Sequence, residues 1–225
     1  MNFTKLDYKN WKRKGIFERY TKKRPAYITV TRKLDCTKFY KIVKKNGMKM
    51  LPCFLYVLGR AVNSMENFKL CYNENGELGY TDVLHPSYTH LYKGEEFFTI
   101  IGSKFSEDFN KFYNTVLKDY DRCRDLVGFD FYEKKMWDDE KVFSVSILPL
   151  CDFTSVATEE FNIEYKTDFA PFIVLGRITK KWRKRSLPVA IRCNHASADG
   201  YQVSLLFNKI QEELNNFSKY LAKKA

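Results

Sequence analysis

From Met50 to Met65 the chain reads Met-Leu-Pro-Cys-Phe-Leu-Tyr-Val-Leu-Gly-Arg-Ala-Val-Asn-Ser-Met, which is apolar nearly all the way round a helix. A surface helix carries one apolar stripe, whereas a helix apolar on every side has to be enclosed by other elements. A bilayer does not supply the enclosure. The best apolar run, Met48 to Val62, is broken by Lys49 and Arg60 and is shorter than the roughly 20 residues a span requires. The chain must therefore wrap a core around this segment. With 225 residues, 44 % of them hydrophobic and 16 % aromatic, it is large enough to do so.

The flanking segments supply the other layers. Tyr27 to Leu34 alternates and carries Ile28, Val30 and Thr31, as a strand does. Asp35 or Thr37 is placed to cap a short helix that runs through Lys45 and stops at Asn46-Gly47. Asn73 to Gly76 predicts a turn before a strand at Leu78 to Val83, and Ser87–Tyr92 and Glu96–Ile101 form a hairpin about Lys93-Gly94. Ser106 is the expected N-cap of a long helix with Phe109, Phe112, Val116, Leu117 and Tyr120 on its apolar face. Strands are expected at Val142–Leu148, Phe169–Ile178 and Leu187–Cys193. The last helix starts near Gly200 and buries Val203, Leu206, Phe207, Ile210, Leu214 and Phe217. Seven or eight strands that do not alternate regularly with four helices predict an α+β two-layer sandwich, a large mixed sheet with helices on one side. No repeat or Pro/Gly-rich linker divides the sequence, so residues 1–225 read as a single domain.

The formal net charge of +12 raises nucleic-acid binding as a function. The cations fall in short clusters, Lys22 to Arg24 and Lys180 to Arg185, without the aromatic-and-glycine pattern of an RNA or single-strand module. Such clusters are either solvated loops or a basic rim around a site for a phosphorylated cofactor. None of the six cysteines forms a C-x-x-C pair, and Cys53 and Cys193 lie in apolar runs. The N-terminus has no apolar signal region, and a cytoplasmic, reducing compartment is expected.

Only three histidines occur. His85, before a proline, and His90, in a strand, lack partners at metal-ligand spacing, so no metal is expected. His195 ends an apolar strand and precedes Ala-Ser-Ala-Asp-Gly ahead of the last helix. The small neighbours leave room for a substrate, Gly200 offers conformational freedom, and a neutral imidazole accepts protons at physiological pH. The competing reading is a histidine that merely closes the strand, with Asp199 as the helix N-cap.

The stretch Asn194-His195-Ala196-Ser197-Ala198-Asp199-Gly200-Tyr201 resembles the His-His-Ala-x-x-Asp-Gly-Phe/Tyr motif of chloramphenicol acetyltransferases. The likeness extends, in matching order, to Asn2–Lys5, Lys9–Lys14, Phe17–Tyr20, Leu148-Pro149, Phe153–Ser155 and Asp168–Pro171. It covers the chain from about Met1 to Phe217.

The resemblance implies a mechanism. His195 would take the proton from a chloramphenicol hydroxyl as that oxygen attacks the thioester of acetyl-CoA, the cosubstrate, with no acyl-enzyme. The Ser155 hydroxyl would donate to the oxyanion, and an Arg13–Asp199 ion pair would hold the histidine loop. Tyr20, Ile28 and Phe98 would line the acceptor pocket, and Lys49 and Arg177 would meet the phosphate-bearing end of coenzyme A. The resemblance also implies a homotrimer with sites between subunits, and no nucleic-acid or membrane partner. Asn194 stands where a second histidine is usual, Gln202 where histidine is common, and Val174 where a hydroxyl residue assists. These departures keep open another hydroxylated acceptor for the same chemistry, with a basic nucleic-acid-binding protein as the remote alternative.

Overall fold

The computed structural model describes residues 2–134, 141–157 and 169–221. Among them lie ten strands: β1 (Phe3–Lys5), β2 (Tyr27–Asp35), β3 (Leu70–Tyr72), β4 (Leu78–Thr81), β5 (His85–His90), β6 (Thr99–Gly102), β7 (Val142–Ile147), β8 (Phe172–Leu175), β9 (Thr179–Lys181) and β10 (Lys184–Asn194). The α-helices are α1 (Lys14–Glu18), α2 (Thr37–Lys45), α3 (Met50–Asn63), α4 (Phe109–Arg122), α5 (Asp130–Glu133) and α6 (Gly200–Asn215).

The large sheet has the order β2-β10-β8-β7-β5-β6, with β9 paired to β10. It is mixed: β5, β7 and β8 run parallel, while β2, β6, β9 and β10 pair antiparallel with their neighbours. A second, three-stranded sheet joins β1, β4 and β3. The α+β sandwich expected from the sequence is the one found.

Helix α3 is the enclosed element. Ten of its residues, from Pro52 to Val62, are buried, and it packs against α4 and α6. Pro52 sits in the first turn, where its missing N–H costs no intrahelical bond. A Cβ on Gly59 would stand 2.4 Å from the Phe105 ring, so this glycine lets that ring reach the helix backbone. Strand β10 is buried from Leu187 to Asn194. Val189, Ile191 and Cys193 face the helix layer, and Ala190 packs with Val174 and Phe153 on the opposite face. No helix among the described residues is long and apolar enough to cross a membrane.

Several local expectations are corrected. The N-cap of α4 is Asp108, whose Oδ1 accepts from the Lys111 amide at 2.8 Å; Ser106 instead accepts from the Asp108 amide at 3.2 Å. Two good capping residues stood two positions apart, and the chain uses the later one. The N-cap of α2 is Cys36, with Asp35 accepting from the Thr37 amide at 2.8 Å. The strand expected at Phe169–Ile178 is confined to Phe172–Leu175, and Glu96–Phe98 precede β6 rather than belonging to it. The Asn73–Gly76 turn is present, with Gly76 at φ 73° joining β3 to β4.

Candidate active site

Strand β10 ends at Asn194, and the five residues before α6 make a tight turn built by Asn194 itself. Its Oδ1 accepts from the Ala196 amide at 2.9 Å, and its carbonyl accepts from the amides of Ser197 and Ala198. The Ser197 hydroxyl is 3.1 Å from the same carbonyl and 3.2 Å from that of Phe169. Ala196, Ser197 and Ala198 are buried, which leaves half-buried His195 as the side chain presented by the turn. Its amide donates to Ala26 O at 2.9 Å.

Three groups hold this histidine. Arg13, just before α1, donates from Nη2 to the His195 carbonyl at 3.0 Å, from Nε to the Ala196 carbonyl at 2.8 Å, and from Nη1 to Asp199 Oδ2 at 3.1 Å. Asp199 Oδ1 accepts from the Tyr201 amide, and Gln202 Oε1 accepts from the Asp199 amide, closing a capping box on α6. Asp199 is thus both helix cap and ion-pair partner. Burial alone would raise its carboxyl, but the Arg13 hydrogen bond, the Tyr201 amide and the charges of Arg13 and His195 together hold it below the ordinary carboxylate value. Tyr20 provides the third contact. It belongs to the π-helical turn Arg19–Lys23 that follows α1, and its ring stacks on the imidazole with centroids 4.1 Å apart and planes 5° apart.

The His195 Nδ1 is buried without a hydrogen-bond partner among the described residues. Any proton exchange between this ring and a solvent-borne molecule therefore passes through Nε2. Ile28 lies beside the same junction. It pairs with Cys193 across β2 and β10, and a Cβ on Gly200 would meet its Cδ1 at 3.8 Å. The freedom expected of Gly200 is not used: it is the first residue of α6, outside the left-handed region, with only that ordinary contact.

The other expected site residues lie elsewhere in the chain. Ser155 is exposed in the segment that crosses the outer sheet face after β7, anchored by Phe153 against Val174 and Ala190. No hydrogen bond among the described residues joins it to His195. Phe98, 45 % exposed, precedes β6 at the far edge of the sheet, four strands from β10. Lys49 caps α3, with Nζ 5.4 Å from the Tyr120 ring centroid, and Tyr120 stacks on His90 at the end of β5. Arg177 follows β8 and donates its amide to Cys151 O at 2.7 Å. Because β5, β7 and β8 are parallel, Lys49 and Arg177 share one end of the sheet. Antiparallel β10 delivers His195 to the other.

Sequence reasoning missed Asn67, whose Nδ2 donates to Ser197 O at 3.0 Å, and gave no role to Phe169 of the Asp168–Pro171 stretch, whose carbonyl accepts from Ser197 and whose ring packs on Phe17. Asn67 belongs to no periodic pattern that could have revealed it. His85 is structural, its Nδ1 accepting from the Phe105 amide at 2.9 Å. No cluster of metal-ligating side chains occurs among the described residues.

The family described as chloramphenicol acetyltransferase matches residues 1–211. The chain belongs to the chloramphenicol acetyltransferase family. It is 30 % identical to a chloramphenicol acetyltransferase of Clostridium perfringens over 100 % of both chains. It is 34 % identical to one of Staphylococcus aureus, over 94 % of this chain and 95 % of that one. A solved chloramphenicol acetyltransferase superposes with a TM-score of 0.80 at 20 % identity, covering 95 % of this chain and 100 % of that one. A dihydrolipoamide acetyltransferase of Azotobacter vinelandii shares the fold, with a TM-score of 0.59 at 12 % identity over 87 % of this chain and 84 % of that one.

Within this family frame, two of the three departures have structural explanations. Asn194 builds the histidine turn, and Gln202 completes the cap of α6. Val174, 3 % exposed, fills the apolar contact with Phe153 and Ala190, so no hydroxyl is offered at that position.

Proposed function

We propose that this protein inactivates chloramphenicol by transferring an acetyl group from acetyl-CoA to a hydroxyl of the antibiotic, with His195 as general base. The observation that carries this reading is the His195 ring itself: Nδ1 sealed, one face covered by Tyr20, and the backbone carbonyl held by Arg13. Such a ring has one orientation and one reactive nitrogen. With its proton on Nδ1, Nε2 takes the hydroxyl proton while the oxygen attacks the thioester carbonyl. Collapse of the tetrahedral intermediate then expels the coenzyme A thiolate. Help of this kind is worth about 10²–10⁴-fold.

Ser155 is assigned as oxyanion donor, Arg13 and Asp199 as support for the histidine turn, and Tyr20, Ile28 and Phe98 as acceptor-pocket walls. Lys49 and Arg177 are assigned to the coenzyme A phosphates, and no metal takes part. Phe98 lies four strands from β10 in one chain, which supports a homotrimer whose sites form between subunits. The exposed Phe97, Phe98, Val127 and Phe129 supply apolar surface for such an interface. One domain over residues 1–225 and a cytoplasmic location complete the reading, the latter supported by six cysteines that are all free thiols.

The test is release of coenzyme A on addition of chloramphenicol. The wild type is expected to turn over, His195→Ala to lose at least about 10²-fold, and sedimentation to report three chains. A wild type that binds acetyl-CoA yet never acetylates chloramphenicol would sink the acceptor, and a panel of other hydroxylated acceptors would then be screened by the same assay.

A further inference from the structure

We propose that the basic hairpin β9–β10 and helix α2 form an electrostatic capture surface for the polyanionic end of acetyl-CoA; this rests on the acyltransferase reading above. Six cations define it: Lys41 and Lys44 on α2, and Lys180, Arg183, Lys184 and Arg185 on the hairpin. All are exposed except Arg185, which is half-buried. The two elements are joined at Tyr40. The Arg185 guanidinium lies 4.1 Å from that ring's centroid and the Lys44 ammonium 5.8 Å from it. Thr37 Oγ1 also accepts from the Arg185 amide at 2.7 Å. Lys184 is near enough to influence Asp35, yet none of the six forms an ion pair among the described residues.

The topology places this surface at one particular end of the sheet. Arg177 stands two residues before β9, and Lys49 four residues after α2. The cations therefore continue outward from both residues assigned to the coenzyme A phosphates. Arg177 lies about level with Leu187, since the Gly176 amide donates to Pro188 O. His195 is eight residues further along, about 26 Å away at roughly 3.3 Å per residue. The reacting end of a bound thioester and its charged end thus fall at opposite ends of the sheet, and these six cations lie at the charged end. An unpaired cluster of one sign raises the local concentration of a polyanion and speeds its encounter by about 10- to 10³-fold, an effect that fades with salt. It acts on association and not on the chemical step.

The experiment measures the association rate constant of coenzyme A by rapid mixing, at about 20 mM and about 300 mM salt, where the screening length shrinks from ~20 Å to ~6 Å. The quadruple variant Lys44→Gln, Lys180→Gln, Arg183→Gln, Lys184→Gln is expected to associate about tenfold more slowly than wild type at low salt and to converge with it at high salt. Acetylpantetheine, which lacks the nucleotide phosphates, is expected to show no such difference. Lys9→Gln with Lys12→Gln, at the His195 end, is expected to leave the coenzyme A rate unchanged. An unaltered rate in the quadruple variant, or an equal loss with acetylpantetheine, overturns the capture surface. So does retention of a DNA duplex through these four cations while coenzyme A ignores them. A wild type that captures coenzyme A in this salt-dependent way but fails to acetylate chloramphenicol overturns the acceptor reading and leaves the capture surface standing.

Discussion

The ring of Tyr20 lies flat on the imidazole of His195, centroids 4.1 Å apart and planes within 5° of parallel. The two residues are 175 positions apart in the chain, and the π-helical turn at Arg19–Lys23 makes the contact by carrying Tyr20 to the histidine. An aromatic pair of this kind is worth about 0.5–1.5 kcal/mol beyond its buried area. Removing the ring frees the imidazole to leave the orientation proposed for proton transfer. Tyr20→Ala is expected to lower kcat about 3- to 10-fold, with Tyr20→Phe close to wild type. A Tyr20→Ala enzyme with undiminished kcat in the coenzyme A release assay would show that the stack positions nothing.

Arg13 is the only cation bonded to the histidine turn among the described residues, and it makes three bonds there. Its side chain is 11 % exposed and that of Asp199 32 %, so the pair is screened on one side only. Arg13→Ala strands a carboxylate and two carbonyls. The cost expected is about 2 kcal/mol, below the figure for a fully buried pair because water reaches Asp199. Arg13→Lys is expected to recover part of that at most, since an ammonium cannot match three divergent acceptors in the plane of a guanidinium. Equilibrium denaturation of the two variants measures both.

The same pair predicts an acid limb. The folded Asp199 carboxyl titrates below its ordinary value, so the unfolded chain holds the proton more tightly. Stability from this group is fully present above the ordinary carboxylate value and is lost as pH falls through the lowered folded value. Asp199→Asn is expected to flatten the pH dependence of Tm across that interval while shifting Tm at neutral pH. An acid limb of unchanged slope in Asp199→Asn would assign it to other carboxylates.

The histidine turn was legible in the sequence because its signals are local: an apolar strand, small residues, and an Asp at the helix start. Helix α3 was legible because its pattern leaves one environment open to it. Strands β1, β3 and β9 were not, since each is three residues long and exists through its partners. The π-helical turn that carries Tyr20 has no capping signature, and the roles of Asn67 and Phe169 depend on packing alone. Ser106 misled because serine and aspartate cap equally well, and only the completed turn selects between them. The separation of Phe98, Lys49 and Arg177 from His195 follows from strand order and direction, which a linear motif does not encode.

Gly176 links the fold to the Ser155 segment. A Cβ there would stand 2.6 Å from Pro188 Cγ and 2.8 Å from both Cys151 O and Phe153 Cε1. Two of those neighbours belong to the segment that presents Ser155, so relief of the clash moves that segment off the sheet. Gly176→Ala is expected to cost about 1–3 kcal/mol as overpacking does and to lower kcat more than it raises KM. Wild-type kinetics in this variant would detach the Ser155 segment from catalysis.

Trp182 offers the opposite experiment, a substitution expected to stabilise. It occupies the tip of the β9–β10 hairpin at φ 57°, the only non-glycine residue described in the left-handed region, and is 88 % exposed. The left-handed conformation costs an L-residue about 1–2 kcal/mol, and with so little burial the indole recovers almost none of it. Glycine removes that cost but adds about 0.5–1 kcal/mol of chain entropy in the unfolded state. The net gain is up to about 1.5 kcal/mol, or up to about 6 °C in Tm for a chain of this size. Trp182→Ala provides the comparison, because it deletes the same side chain while keeping the backbone cost. Thermal unfolding should rank Gly above Ala, with Ala near wild type. The reverse order would mean that the hairpin tip is unstrained and that the indole stabilises it by contact.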